Sequence, residues 1–183
     1  MFFTETLFGH QAGMTSMDML FISSGVYQPL TSSEDQTCRL WKIQEETQLV
    51  YKDHHKVSID CIALGGLKHT FVSGSQDGGI ALWNIAKKRP IKTVANAHQG
   101  WVSCCSACPQ SDLLATASSD GIKLWKSSGE LKQVGHVQVK AFVNDICFAP
   151  KAKLMICAEG QEHKFGRWTR VKGAKNRVSI YKL

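Results

Sequence analysis

Ser75-Gln76-Asp77-Gly78-Gly79-Ile80-Ala81-Leu82-Trp83-Asn84, "SQDGGIALWN", reads as a tight turn followed by a short strand that ends on tryptophan. The phrase is not written once. "TSSEDQTCRLW" (31–41), "SGSQDGGIALW" (73–83), "TASSDGIKLW" (116–125) and "AEGQEHKFGRW" (158–168) share a small residue, a turn, an acidic residue and then a strand. Their tryptophans, Trp41, Trp83, Trp125 and Trp168, stand 42, 42 and 43 residues apart. A fixed period of this length is the mark of one supersecondary unit stacked into an array.

Between these landmarks the pattern is β. In the second unit, residues 58–64, 69–74, 79–85 and 90–96 are short, rich in β-branched side chains and separated by Gly, Asp, Lys or Pro. Nowhere does an apolar stripe of helical period run over ten residues, so helical repeats of similar length are disfavoured. Four short strands every 40–45 residues is the pattern of a propeller blade. A histidine stands ahead of each of the first three units, His10, His55 and His98. Each unit also has a hydroxyl residue four places before its aspartate: Thr31 and Asp35, Ser73 and Asp77, Thr116 and Asp120.

On these residues the chain resembles the WD40 repeat family, which implies an all-β WD40 β-propeller with four blades over 10–53, 54–96, 97–135 and 136–183. The resemblance further implies a hydrogen-bonded chain in each of three blades: His10, Thr31, Asp35, Trp41; His55, Ser73, Asp77, Trp83; and His98, Thr116, Asp120, Trp125. Such a chain would satisfy a tryptophan N–H and both imidazole nitrogens in a buried setting. The fourth unit has Ala158 for the hydroxyl, Glu162 for the aspartate and His136 off register, so this network is expected to be absent there. Trp168, in register with the other three, is expected in the blade core, closing a third strand, with "RVSIYKL" (177–183) as the outer strand. Residues 1–9 are expected to form an orphan outer strand of a preceding blade. The whole then reads as the C-terminal part of a larger, seven-bladed propeller, with a self-closing four-bladed ring as the competing arrangement.

Charge narrows the function. The net charge is +7, and residues 140–183 carry ten Lys and Arg against three Asp and Glu, so the whole excess lies in the last quarter. A local basic surface calls for a polyanionic partner, RNA first and an acidic protein second. Arg170, Lys172, Lys175 and Arg177 are the leading candidates for phosphate contact. Lys164, Arg167 and the cluster Lys87-Lys88-Arg89 follow. Trp101 falls outside the repeat register and reads either as a loop residue or as packing at a strand start.

Other classes find little support. Ser/Thr, His and Asp recur in triplicate, as structural sets do and catalytic triads do not, and no phosphate loop, HExxH or GxSxG occurs. No enzyme activity or cofactor is expected. Seven cysteines, an odd number spread mostly through strand-like segments, suit buried thiols in a reducing compartment. Cys104, Cys105 and Cys108 lack the further ligands of a tetrahedral zinc site, so no metal is expected. No run of 18 apolar residues or basic-then-apolar leader is present, and no membrane partner is expected.

The segments "LFGHQ" (7–11), "RLWKIQEETQLVY" (39–51), "SIDCI" (58–62), "IALWNIAKKRP" (80–90) and "GQEHKFGRW" (160–168) resemble the WD proteins of the U3 small nucleolar ribonucleoprotein. That resemblance implies a nucleolar protein that binds the B/C-box region of U3 small nucleolar RNA, joins the other proteins of that particle and serves pre-rRNA processing. The alternative is a general WD40 adaptor with an acidic protein partner.

Overall fold

Alternation decides which faces a strand buries. The strand at residues 70–75, "TFVSGS", is buried at every position, as expected of a strand covered on both faces, where small and apolar side chains occupy both sides. By contrast residues 154–160, "LMICAEG", alternate exposed and buried, the mark of a strand covered on one face only.

The computed structural model explains both. It describes residues 5–22, 25–65, 69–128, 130–149, 153–164 and 166–183; the side chains of Ile22 and Arg167 lie outside the description. Three four-stranded antiparallel meanders follow one another: β1 (Met14–Ile22), β2 (Val26–Ser33), β3 (Cys38–Lys42) and β4 (Thr47–Tyr51); β5 (Ile59–Leu64), β6 (Thr70–Ser75), β7 (Ile80–Asn84) and β8 (Pro90–Val94); β9 (Cys104–Ala107), β10 (Leu113–Ser118), β11 (Gly121–Lys126) and β12 (Lys132–Val137). The first strands β1, β5 and β9, and then β13 (Phe142–Phe148), lie side by side. This is the all-β propeller arrangement. Trp83 pairs across β6 with Phe71, and Trp125 across β10 with Leu114.

The core sits between successive sheets. Leu30, Leu40, Tyr51, Phe71 and Trp83 fill the space between blades one and two; Val72, Leu82, Val102, Leu114 and Trp125 that between two and three; and Ile122, Val143, Phe148 and Met155 that between three and four. Blades two and three are covered on both faces. The two end blades each keep one apolar face open, with Met17, Met19, Phe21 and Tyr27 on blade one and Leu154, Ile156, Val178 and Ile180 on blade four.

Three expectations are corrected. Among the described residues the sheet of blade four has three strands, β13, β14 (Leu154–Gly160) and β17 (Arg177–Lys182). "RVSIYKL" is therefore not an outer strand. It pairs directly with β14, from Leu154 opposite Lys182 to Glu159 opposite Arg177. Trp168 lies on β16 (Gly166–Arg170), which among the described residues pairs with β15 (Glu162–His163) alone, in a hairpin inserted between β14 and β17. Its side chain is 86% exposed, against 1% for Trp83. Of the expected orphan strand, residues 1–4 lie outside the described residues and residues 5–10 form no strand.

Candidate nucleic-acid interface

One end of the blades is organised by the histidine chains. In blade one, Trp41 Nε1–H donates to Thr31 Oγ1 at 2.9 Å, and His10 Nε2 lies 2.8 Å from the same oxygen. The indole N–H is only a donor, so the hydroxyl passes its own hydrogen to Nε2. The imidazole proton then sits on Nδ1, directed at Asp35 Oδ2 2.9 Å away. Burial alone would raise the Asp35 carboxyl. Hydrogen bonds from Thr37, the Gln11 N–H and His10 outweigh it and hold the group well below the usual carboxylate range. Blade three repeats the arrangement: Trp125 Nε1 to Thr116 Oγ1 2.8 Å, His98 Nε2 to Thr116 Oγ1 2.7 Å, and His98 Nδ1 to Asp120 Oδ1 2.6 Å. Lys123 Nζ adds an ion pair to Asp120 at 3.1 Å.

Blade two keeps the first two links, Trp83 Nε1 to Ser73 Oγ 2.8 Å and His55 Nε2 to Ser73 Oγ 2.7 Å. Its aspartate does something else. Asp77 accepts from Ser75 Oγ at 2.5 Å and from the Gly79 N–H at 3.0 Å, and it acts on His55 through charge. Burial, helped by the neighbouring His54, pushes the His55 pKa down to about 4. Gly78 has φ +82°, and a Cβ there would strike the His98 carbonyl, so this turn requires glycine.

Blade four carries a different buried polar cluster. Glu159, on β14, is 4% exposed; it accepts from Arg177 Nε at 2.8 Å and from Tyr181 Oη at 3.1 Å. Burial raises this carboxyl, while hydrogen bonds from Ser179, Arg177 and Tyr181 bring it below its ordinary value. Arg177 is thus the partner of a buried carboxylate, which removes it from the front rank of phosphate ligands.

The inserted segment, residues 161–176, is pinned at several points. Asn144 bonds the Glu162 carbonyl through Nδ2 at 3.1 Å and the Lys164 N–H through Oδ1 at 3.0 Å. Gln161 Nε2 donates to the Ala174 carbonyl at 2.6 Å, and its Oε1 receives Arg170 Nε and Nη2 at 3.1 and 2.5 Å. The segment lies at the histidine end: His163 meets Trp101 edge to face at 5.3 Å, and residues 171–174 border a concavity with Ser119 and Asp120.

This sorts the basic candidates. Arg170, Lys172 and Lys175 are exposed, and among the described residues none has an acidic partner. Arg170 bonds a neutral amide and keeps its full charge for an anion. Lys140, which the sequence reading missed, is exposed and lines concavities with Lys172 and Lys175. Lys164 is exposed, and its charge acts on Asp60 and Cys104 of the inner strands. The Arg167 side chain lies outside the described residues. Lys87, Lys88 and Arg89 are exposed in the β7–β8 connection, next to the Asn84–Thr70 pair, at the end opposite the Asp77 turn. They do not share a surface with the insertion.

The family model for the WD domain, G-beta repeat, matches residues 2–42, 46–84 and 88–126. The chain belongs to the WD40 repeat family. It is similar to the U3 snoRNP-associated protein-like EMB2271 of Arabidopsis thaliana, 32% identical over 201 residues, 99% of this chain and 41% of that protein. It is also similar to the U3 small nucleolar RNA-interacting protein 2 of Mus musculus, 37% identical over 153 residues, 76% of this chain and 32% of that protein. Among solved structures, that of U3-55K superposes with a TM-score of 0.90 at 36% identity, covering 98% of this chain and 58% of that one. The chain therefore spans between about a third and three-fifths of these relatives.

Within a WD40 blade, the donor-only indole accounts for the first link alone, and the Trp, Ser/Thr and His positions were legible through the resemblance to the family. Asn144, Gln161, Glu159 and Tyr181 were not. The available signal was Glu159 beside Ala158, a carboxylate facing inward one place from the expected hydroxyl.

Proposed function

We propose that this chain is the RNA-contacting part of a non-enzymatic WD40 scaffold of the U3 small nucleolar ribonucleoprotein, acting in the nucleolus in pre-rRNA processing and small-subunit ribosome biogenesis. The names of its relatives support the particle. The observation that carries the RNA reading is the insertion of blade four, whose Arg170, Lys172 and Lys175, joined by Lys140, present cations without acidic partners among the described residues. Phosphates would be held by these side chains, with affinity falling as salt rises, while the fold of the RNA sets specificity. The B/C-box region of U3 small nucleolar RNA is the proposed ligand, and the other proteins of the particle are the proposed neighbours.

The test is competition at fixed salt between B/C-box RNA and a scrambled stem of equal length. Preference for the B/C-box RNA, diminished by Lys172→Ala with Lys175→Ala, is the expected outcome. Equal weak binding to both RNAs, with tighter binding to an acidic peptide, would replace this reading with the protein adaptor.

A further inference from the structure

Trp168 has no blade to fill, and its setting is built rather than incidental. It lies on β16, exposed along most of its ring, and leans back over Gly166: a Cβ added at Gly166 would lie 2.5 Å from Trp168 Cζ3. Only glycine leaves the indole that place. Across from it stands Trp101, 40% exposed, in the connection that leads from His98 into blade three. His163 stands edge to face against both Trp101 and Phe142, at 5.3 and 5.5 Å, and fixes the floor between them. Together Gly100, Trp101, Phe142, His163 and Trp168 line a groove of about 500 Å³. Such a space accepts a flat aromatic group, and the two indoles offer it stacking faces.

The surroundings select which aromatic group. Arg170 is two residues along the same strand from Trp168, and Lys172 and Lys175 follow on the same insertion, all three exposed and without acidic partners among the described residues. An apolar slot bordered by cations fits a planar base tethered to phosphates. An aromatic side chain of a protein carries no phosphate of its own and would need acidic neighbours to supply the charge, whereas every nucleotide brings it.

We propose that the Trp101–Trp168 groove is a stacking site for an unpaired nucleobase of the bound RNA, with the base against the Trp168 indole and its flanking phosphates reaching Arg170 and Lys172. The proposal rests on the RNA reading above and adds a claim to it: single-stranded nucleotides, not only a paired stem, are held. Aromatic stacking tolerates any base, so the groove strengthens binding without reading sequence. Both tryptophans are exposed at the groove, so replacing Trp168 leaves the cores between blades untouched.

The full chain is titrated with a stem carrying an internal unpaired loop, one loop base replaced by 2-aminopurine, and with a fully paired stem of the same length. Wild type should bind the looped RNA more tightly and change the 2-aminopurine emission. Trp168→Ala should weaken looped RNA by roughly 5- to 150-fold, with little effect on the paired stem and an unchanged salt slope, while Trp168→Phe restores most of the loss. Lys172→Ala should instead lower the salt slope for both RNAs by about 1. If wild type prefers looped RNA and loses affinity with salt, yet Trp168→Ala matches it in affinity and emission, the stacking proposal is overturned and the RNA reading stands. If wild type binds neither RNA, both fall.

Discussion

Blades two and four were read from the same repeated phrase, and they solve the same physical problem in different ways. In blade two a buried indole N–H is satisfied by Ser73, and Ser73 by His55. In blade four a buried carboxylate, Glu159, is satisfied by Arg177 and Tyr181 on the strand opposite. The tryptophan that marks blade two lies in the core; its counterpart by residue count lies on an inserted hairpin and faces solvent. Regular spacing along the chain is therefore not proof of equivalent position. The hairpin inserted between β14 and β17 places Trp168 at the repeat spacing, while the next strand to pair with β14 comes later, at Arg177–Lys182.

The largest expected difference between the two blades is in their tryptophans. Trp83→Ala should destabilise the chain by about 3–5 kcal/mol, the usual cost of deleting a buried aromatic. Trp168→Ala should stay within about 0.5 kcal/mol, as exposed substitutions do. Denaturant midpoints of the two variants check this, and equal losses would break the comparison.

Next in size is the response to acid. His55 in blade two has a folded pKa near 4 against about 6.5 when unfolded. The unfolded chain binds the proton first, so the neutral, buried imidazole contributes stability that is complete above about pH 6.5 and lost as pH falls toward about 4. The shift corresponds to about 3 kcal/mol at most. A His55→Gln variant followed by urea unfolding across that window should show a flatter pH dependence than wild type, because the group that takes up a proton on unfolding is gone, with a residual slope left by His98, which burial also holds below its ordinary value.

The third contrast is smaller. Arg177→Ala leaves Glu159 buried with one charged partner fewer, and should cost about 1–2 kcal/mol, below the range for a fully buried pair because Arg177 is itself half exposed. Adding Glu159→Gln should recover part of that loss, since a neutral amide needs no counter-charge. A double-mutant cycle measures the coupling, and strict additivity would mean that the pair does not hold blade four together.

What could be read from the sequence follows from these differences. The strands of blade two were legible as short β-branched segments bounded by turn residues, and its Ser73–Trp83 link through the resemblance to the WD40 family. The Asp77 link to His55 was not, since Ser75, two residues away, offers that carboxylate a nearer donor. Blade four was misread because Trp168 matched the register, and the alternation in "RVSIYKL" pointed the wrong way, since the apolar Val178 and Ile180 face outward while Ser179 and Tyr181 are the partly buried positions. The basic surface was located by charge counting alone, yet counting did not separate Arg177 and Lys87-Lys88-Arg89 from the insertion. That separation depends on which residues meet across β14 and β17 and on which end of a blade each loop leaves.

The most direct measurement compares the two ends of the blades by salt dependence. Binding of looped RNA would be followed over a salt series for wild type, for Lys172→Ala with Lys175→Ala, and for Lys87→Ala with Lys88→Ala. The insertion pair should lower the slope of log affinity against log salt by about 2 while the far-end pair leaves it unchanged. A slope lowered only by the far-end pair would instead place the RNA on the opposite end of the blades.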